Sequence, residues 1–193
     1  MHLLTLKKFI MKRILLIALV ACLSISSSFA QLPNGSLAPD WTLTDVLGVE
    51  HNLYSYLDSG YTVFIDFSAV WCGPCWSYHT GGTLESLYEL HGPAGFPHVD
   101  ANTTDDVMVF FIEGDGNSLD CLNGINCSNT YGDWVNGVND TDPNSGLTPY
   151  PVICTDGTVN NTAVTSAYSI GYWPTVYMVC PDRIVTEAGQ SSN

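Results

Sequence analysis

Beyond residue 30 the chain has no lysine and a single arginine, Arg183, against all 19 of its acidic residues, a formal charge of −18. A chain so poor in cations cannot neutralise phosphates, which argues against nucleic-acid binding and against electrostatic docking on anionic lipid. Long charge blocks, low-complexity tracts and internal repeats are also missing, so nothing divides the folded part into two domains. Disorder is excluded despite the charge, because 46% of the residues are apolar and 11% aromatic.

The other four cations, Lys7, Lys8, Lys12 and Arg13, precede the apolar run Ile14 to Val20, and small residues close the segment at Ser28-Phe29-Ala30. This is the pattern of an export signal cleaved after Ala30, with translation from Met11 giving a signal of conventional length. Residues 1–30 are therefore expected to be a signal peptide and 31–193 one domain, periplasmic or secreted. Two other readings stay open. In one, Leu19-Val20-Ala21-Cys22 is a lipoprotein signal and Cys22 the lipidated terminus, which would tether a chain otherwise without stable membrane insertion. In the other, the segment is an uncleaved anchor. Setting Cys22 aside leaves six cysteines, an even number, in a compartment where disulfides persist.

Trp41 to Asn52 reads as a short hairpin around Leu47-Gly48, and Leu53 to Leu57 as one or two helical turns. Tyr61 to Ala69 (YTVFIDFSA) and Val107 to Ile112 (VMVFFI) are near-continuous apolar runs, the mark of strands buried on both faces. Between them Cys72 to Leu90 is mostly helical in pattern, with Leu84, Leu87, Tyr88 and Leu90 on an apolar face and Gly81-Gly82 as a kink. Strand, helix, strand at this spacing predicts a βαβ unit with parallel strands, hence an α/β fold. A further strand is expected at Tyr150 to Cys154, a helix at Thr162 to Ser169, and a hairpin from Thr175–Val179 to Ile184–Thr186.

The chemistry concentrates at Trp71-Cys72-Gly73-Pro74-Cys75-Trp76, between the first buried strand and the helix. Two cysteines three apart at a helix start can close a small disulfide ring, and the exposed helix N–H groups favour the thiolate of the first. Cys72 is then the attacking sulfur, and Cys75, one turn in, the resolving thiol. Pro74 lacks an N–H and has a φ suited to a first helical turn, so it stiffens the ring without losing a backbone bond.

The chain here resembles the thioredoxin superfamily. WCGPC matches that family's active-site motif, Asp66, six residues before Cys72, its buried proton-transfer acid, and Trp173-Pro174-Thr175 its cis-proline loop. The late segments look most like exported, membrane-side thioredoxins and secreted bacterial proteins of this type. The resemblance spans about residues 38 to 190. It implies a thioredoxin fold, a central mixed sheet flanked by helices, with a large insertion between the second buried strand and the cis-proline loop. It also implies an apolar rim of Trp71, Trp76 and Trp173 beside Pro174 that binds extended polypeptide, and no cofactor other than the Cys72–Cys75 disulfide. Protein substrates with disulfides or thiols and an extracytoplasmic redox partner complete the expectation. The sequence departs from the family in lacking a lysine near the buried acid and a helix after Gln190, so it is either a piece of a longer protein or ends where relatives begin a linker.

Cys121, Cys127, Cys154 and Cys180 permit three pairings. The short separation favours Cys121 with Cys127, closing a loop in the insertion, and leaves Cys154 with Cys180 by elimination, both bonds structural. No metal site is expected. Asp105-Asp106, Glu113-Gly114-Asp115 and Asp140 to Asn144 read as solvated turns, since the glycine of a calcium loop falls one place late and no bidentate glutamate follows. His51, His79, His91 and His98 show no ligand spacing and read as surface or packing residues. Two further readings are weaker. A peroxiredoxin lacks its peroxide-binding threonine, because Ala69 stands there, while a secreted binding module would keep the scaffold with little redox turnover.

Overall fold

β-Branched and aromatic residues dominate Thr62–Ser68 (TVFIDFS) and Val107–Glu113 (VMVFFIE). In the computed structural model, which describes residues 31–136 and 148–189, these segments are β3 and β4, paired in parallel from Thr62↔Val107 to Ser68↔Glu113. Every residue of β4 is buried, as a central strand covered on both faces requires. Upstream, β1 (Thr42–Thr44) and β2 (Glu50–Asn52) form the expected hairpin, followed by α1 (Leu53–Asp58), whose start is capped by the Asn52 side chain. Between β3 and β4 lie α2 (Gly73–His79) and α3 (Thr83–His91). They are two helices rather than one kinked one, because Gly82 takes φ 74°, the left-handed region that glycine enters without steric penalty. On α3, Leu84 and Tyr88 are buried but Leu90 is exposed, so the apolar face is narrower than its periodicity suggested.

After β4 come α4 (Leu119–Leu122), β5 (Val152–Cys154), α5 (Ala163–Ala167), β6 (Thr175–Val179) and β7 (Val185–Glu187). The five-stranded sheet has the order β5-β4-β3-β6-β7, with β5 parallel to β4 and β6 antiparallel to both β3 and β7. It is the expected α/β arrangement, a mixed sheet flanked by helices. Its topology sets the site. The C-terminal ends of β3, β4 and β5 and the N-terminal start of β6 share one edge, because Phe67 pairs with Thr175 and Ser68 with Glu113.

The described part of the insertion is anchored to the rest of the fold. Cys121 and Cys127 form a disulfide with a Cα–Cα distance of 5.0 Å, and the Trp134 N–H donates to the Leu122 carbonyl at 2.7 Å. The expected Cys154–Cys180 bond does not form, and both thiols are free. Elimination ignored topology. Cys154 ends edge strand β5, whereas Cys180 follows β6, three strands across the sheet with β4 and β3 between, and at the opposite end, where Val179 pairs with Val63. Strands lie about 4.8 Å apart, so the gap far exceeds disulfide reach. The proposed signal segment, Cys22 and Asp140 to Asn144 lie outside the described residues.

Candidate redox site

The chain leaving β3 turns through Ala69-Val70-Trp71 and starts α2 at Cys72, whose Sγ accepts the Cys75 N–H at 3.1 Å and so caps the helix. Cys72 and Cys75 are joined by a disulfide across a Cα–Cα distance of 5.2 Å, with Pro74 in the first helical turn. Cys75 is fully buried and Cys72 retains 4% exposure. A cap bond of this kind strengthens when its acceptor is an anion, which favours ionisation of Cys72 once the disulfide is reduced.

Across the shared edge the Trp173–Pro174 peptide is cis, immediately before β6. The Trp173 ring rests against Gly114, where a Cβ would lie 2.7 Å from the indole. Glycine is required there by close approach, and the Thr165 hydroxyl holds the Gly114 carbonyl at 2.8 Å. Trp71 is 40% exposed, and its indole N–H donates to Asp115 at 2.7 Å. Trp76 points elsewhere. It packs edge-on against buried Trp134 at 4.8 Å and over Gly132 of the insertion, so it joins that wall to α2. The insertion also reaches the disulfide loop: the Tyr131 N–H donates to the Val70 carbonyl at 3.1 Å, and its half-exposed phenol sits against Gly73. Tyr131 and Trp134 had no signal in the sequence beyond being aromatic in a Gly/Asn-rich stretch.

Within β3, Asp66 is fully buried. Burial, aided by the charge of Glu85, raises its pKa from 3.8 to about 7 against the opposing Ser68 hydroxyl, which donates to Oδ1 at 2.8 Å. Glu85 was missed, and so was the place of His79 beside it. Glu85 on α3 is raised from 4.5 to about 7 by burial and accepts the Tyr150 hydroxyl at 3.0 Å. His79, one turn after Cys75 and 3.6 Å from Glu85, is pushed down to about 4 by burial, so it is neutral and makes no ion pair at pH 7. His79 is thus a packed residue, as expected, but it packs inside the acid cluster. Its place four residues after Cys75 was a legible signal. Nothing local separated inward Glu85 from exposed Glu89. Glu113, at the end of β4, is also raised to about 7 by burial, and it holds the turn below Trp173 through the Asn117 backbone and side chain. Among the described residues no group of three or more His, Cys, Asp or Glu side chains is placed to hold a metal ion.

No family model matches the chain. Among solved structures it is similar to the thioredoxin domain of a thiol-disulfide oxidoreductase from Bacteroides vulgatus, with a TM-score of 0.52, 16% identity and coverage of 83% of this chain and 91% of that one. A Bacteroides thetaiotaomicron protein provisionally named a protein disulfide isomerase gives a TM-score of 0.55 at 16% identity, over 84% of this chain and 81% of that one. The chain has the thioredoxin fold. Two curated relatives match part of the chain by sequence, both named thiol-disulfide oxidoreductase ResA. The one from Geobacillus thermodenitrificans is 36% identical over 75 residues, 36% of this chain and 42% of its own length. The one from Geobacillus kaustophilus is 51% identical over 41 residues, 21% of this chain and 22% of its own length. The chain thus spans less than half the length of the curated relatives it matches.

Proposed function

We propose that the protein is an exported thiol-disulfide oxidoreductase that reduces or isomerises protein disulfides through Cys72 and Cys75. The observation that carries this reading is the closed Cys72–Cys75 pair capping α2, on the same sheet edge as the cis Trp173–Pro174 peptide and with Asp66 buried in the strand that leads to it. Similarity to proteins named for this activity supports it, and the basic-then-apolar pattern before Ala30 supports export.

In the reducing direction, Cys72 thiolate attacks a substrate disulfide and forms a mixed disulfide. Asp66, as carboxylate, takes the proton of the Cys75 thiol. The Cys75 thiolate then attacks Cys72 Sγ, closing the ring and releasing the substrate thiol. Trp71, Trp173 and Pro174 supply an apolar, strand-like surface for an extended polypeptide, and Trp76 braces it from the insertion. A redox partner outside the cytosol restores the dithiol.

Gly73-Pro74 between the cysteines resembles the reducing thioredoxins, and the −18 charge disfavours the thiolate, which together favour a couple nearer a reductant than an oxidant. A measured potential above roughly −180 mV reverses that direction. Cys75→Ser is expected to accumulate mixed disulfides with exported proteins on non-reducing gels, and Cys72→Ser to abolish both turnover and trapping. Wild-type reduction of a model disulfide by Cys72→Ser, or trapping through Cys75 alone, overturns the assignment. An inactive wild type that traps nothing leaves the binding module as the reading.

A further inference from the structure

Asp66 is sealed from solvent, so a proton taken from Cys75 must leave it by way of other groups. No lysine is present beyond residue 30, and Arg183, the sole arginine there, is tied to Asp58 at 2.7 Å and stacked over Tyr54. Compensation of the buried charge by a cation is therefore not available. What faces Asp66 is a second carboxyl. It is Glu85 on α3, whose charge acts on Asp66, with Tyr78 and His79 contributed by α2 and Tyr150 by the segment entering β5.

The hydroxyl of Tyr150 fixes Glu85 Oε1 at 3.0 Å. Glu85 Oε2, Asp66 Oδ2 and His79 Nδ1 are buried without a protein partner. Unlike Asp66, the Glu85 side chain is 25% exposed, so it joins the sealed interior to the surface. The other members of the cluster do not change charge near neutrality. The Tyr78 phenol is raised to about 12 and that of Tyr150 well above its usual value by burial, and His79 is held neutral. The two carboxyls are thus the groups in the cluster that can pass a proton near pH 7.

We propose that Glu85 is the relay through which Asp66 exchanges its proton with solvent during the resolving step. The inference rests on the dithiol-exchange reading. The Cys75 S–H bond breaks and its proton goes to the Asp66 carboxylate. The thiolate electron pair forms the Cys72–Cys75 bond while the pair of the broken mixed disulfide leaves with the substrate sulfur. The Asp66 proton then passes to the Glu85 carboxylate and from there to water. Glu85 touches no reacting sulfur and acts through Asp66.

The test combines turnover against pH with titration of isotopically labelled side-chain carboxyls in the full chain. Wild type is expected to show two linked carboxyl steps near neutrality, those of Asp66 and Glu85, beside the separate step of Glu113. Glu85→Gln keeps an oxygen for Tyr150 and should leave the Asp66 step unlinked and moved to lower pH, because the neighbouring negative charge is gone. It should slow turnover at pH 7 several-fold and alter the pH profile, and Glu85→Asp should recover part of the rate. Trapping by Cys75→Ser should be unaffected when Glu85→Gln is added. An active wild type whose rate and pH profile are unchanged by Glu85→Gln overturns the relay and leaves disulfide exchange standing. If the wild type reduces nothing, the functional reading fails, and independent titration of Asp66 and Glu85 overturns the coupling as well. Should Glu85→Gln fail to fold, Tyr150→Phe, which frees Oε1, must slow turnover and move the carboxyl steps, and an unchanged profile counts against the relay.

Discussion

At the scale of single residues, the buried acids oppose folding as pH rises. Asp66 is raised from 3.8 to about 7, first by burial, so between about pH 4 and 7 the native chain holds a proton that the unfolded chain releases. Stability from this group is therefore full below pH 4, declines as pH rises to about 7, and is level above. Glu85 and Glu113 act in the same sense, each raised to about 7 from 4.5 by burial. His79, pushed from 6.5 to about 4, acts oppositely and gains stability as pH rises through that window. Asp66→Asn removes the largest single penalty, at most about 4 kcal/mol for a shift of about three pH units. Urea unfolding of the oxidised protein should show Asp66→Asn close to wild type near pH 4 and more stable than wild type at pH 8, while its disulfide turnover slows. An equal difference at both pH values contradicts a raised native pKa.

At the scale of elements, what could be read from the sequence was whatever local pattern determines. The runs at Tyr61–Ala69 and Val107–Ile112 have few polar residues because both faces of β3 and β4 are covered, so their apolar content alone marked them. Gly73-Pro74 at the head of α2 and the Gly82 break are local chemistry of the same kind. The helix expected over Thr162 to Ser169 shortened to Ala163–Ala167, since Thr162 gives no side-chain cap and Ser169 takes φ 52°. Non-local placement was not legible. Pairing Cys154 with Cys180 needed the strand order, which puts them at opposite ends of a sheet with β4 and β3 between. Glu85 and Glu89 lie four apart on one helix, and only the packing of α3 against the sheet turns the first towards Tyr150. The inward wall of Tyr131 and Trp134 depends on a backbone bond to Val70 and on the Trp76 ring, partners about 60 residues away in sequence.

For the whole molecule the decisive quantity is the imbalance of charge. Nineteen acids face one arginine beyond residue 30, and among the described residues the ion pairs are Arg183–Asp58 and two histidine contacts, of which His79–Glu85 is uncharged at neutral pH. Most remaining carboxylates are exposed, as at Asp40, Glu50, Asp100, Asp106 and Asp120, so the folded state concentrates negative charge that the unfolded chain spreads out. Screening lengths fall from about 30 Å at 0.01 M to about 10 Å at 0.1 M ionic strength, so salt weakens this repulsion more in the compact state than in the expanded one. The melting temperature is therefore expected to rise steadily as monovalent salt goes from low concentration to roughly 0.5 M, with sodium and potassium acting alike because the effect is screening. A flat profile would mean that the repulsion is not a significant term in stability. A large difference between the two cations would mean that specific ion binding, rather than the mean field of the surface, governs the response.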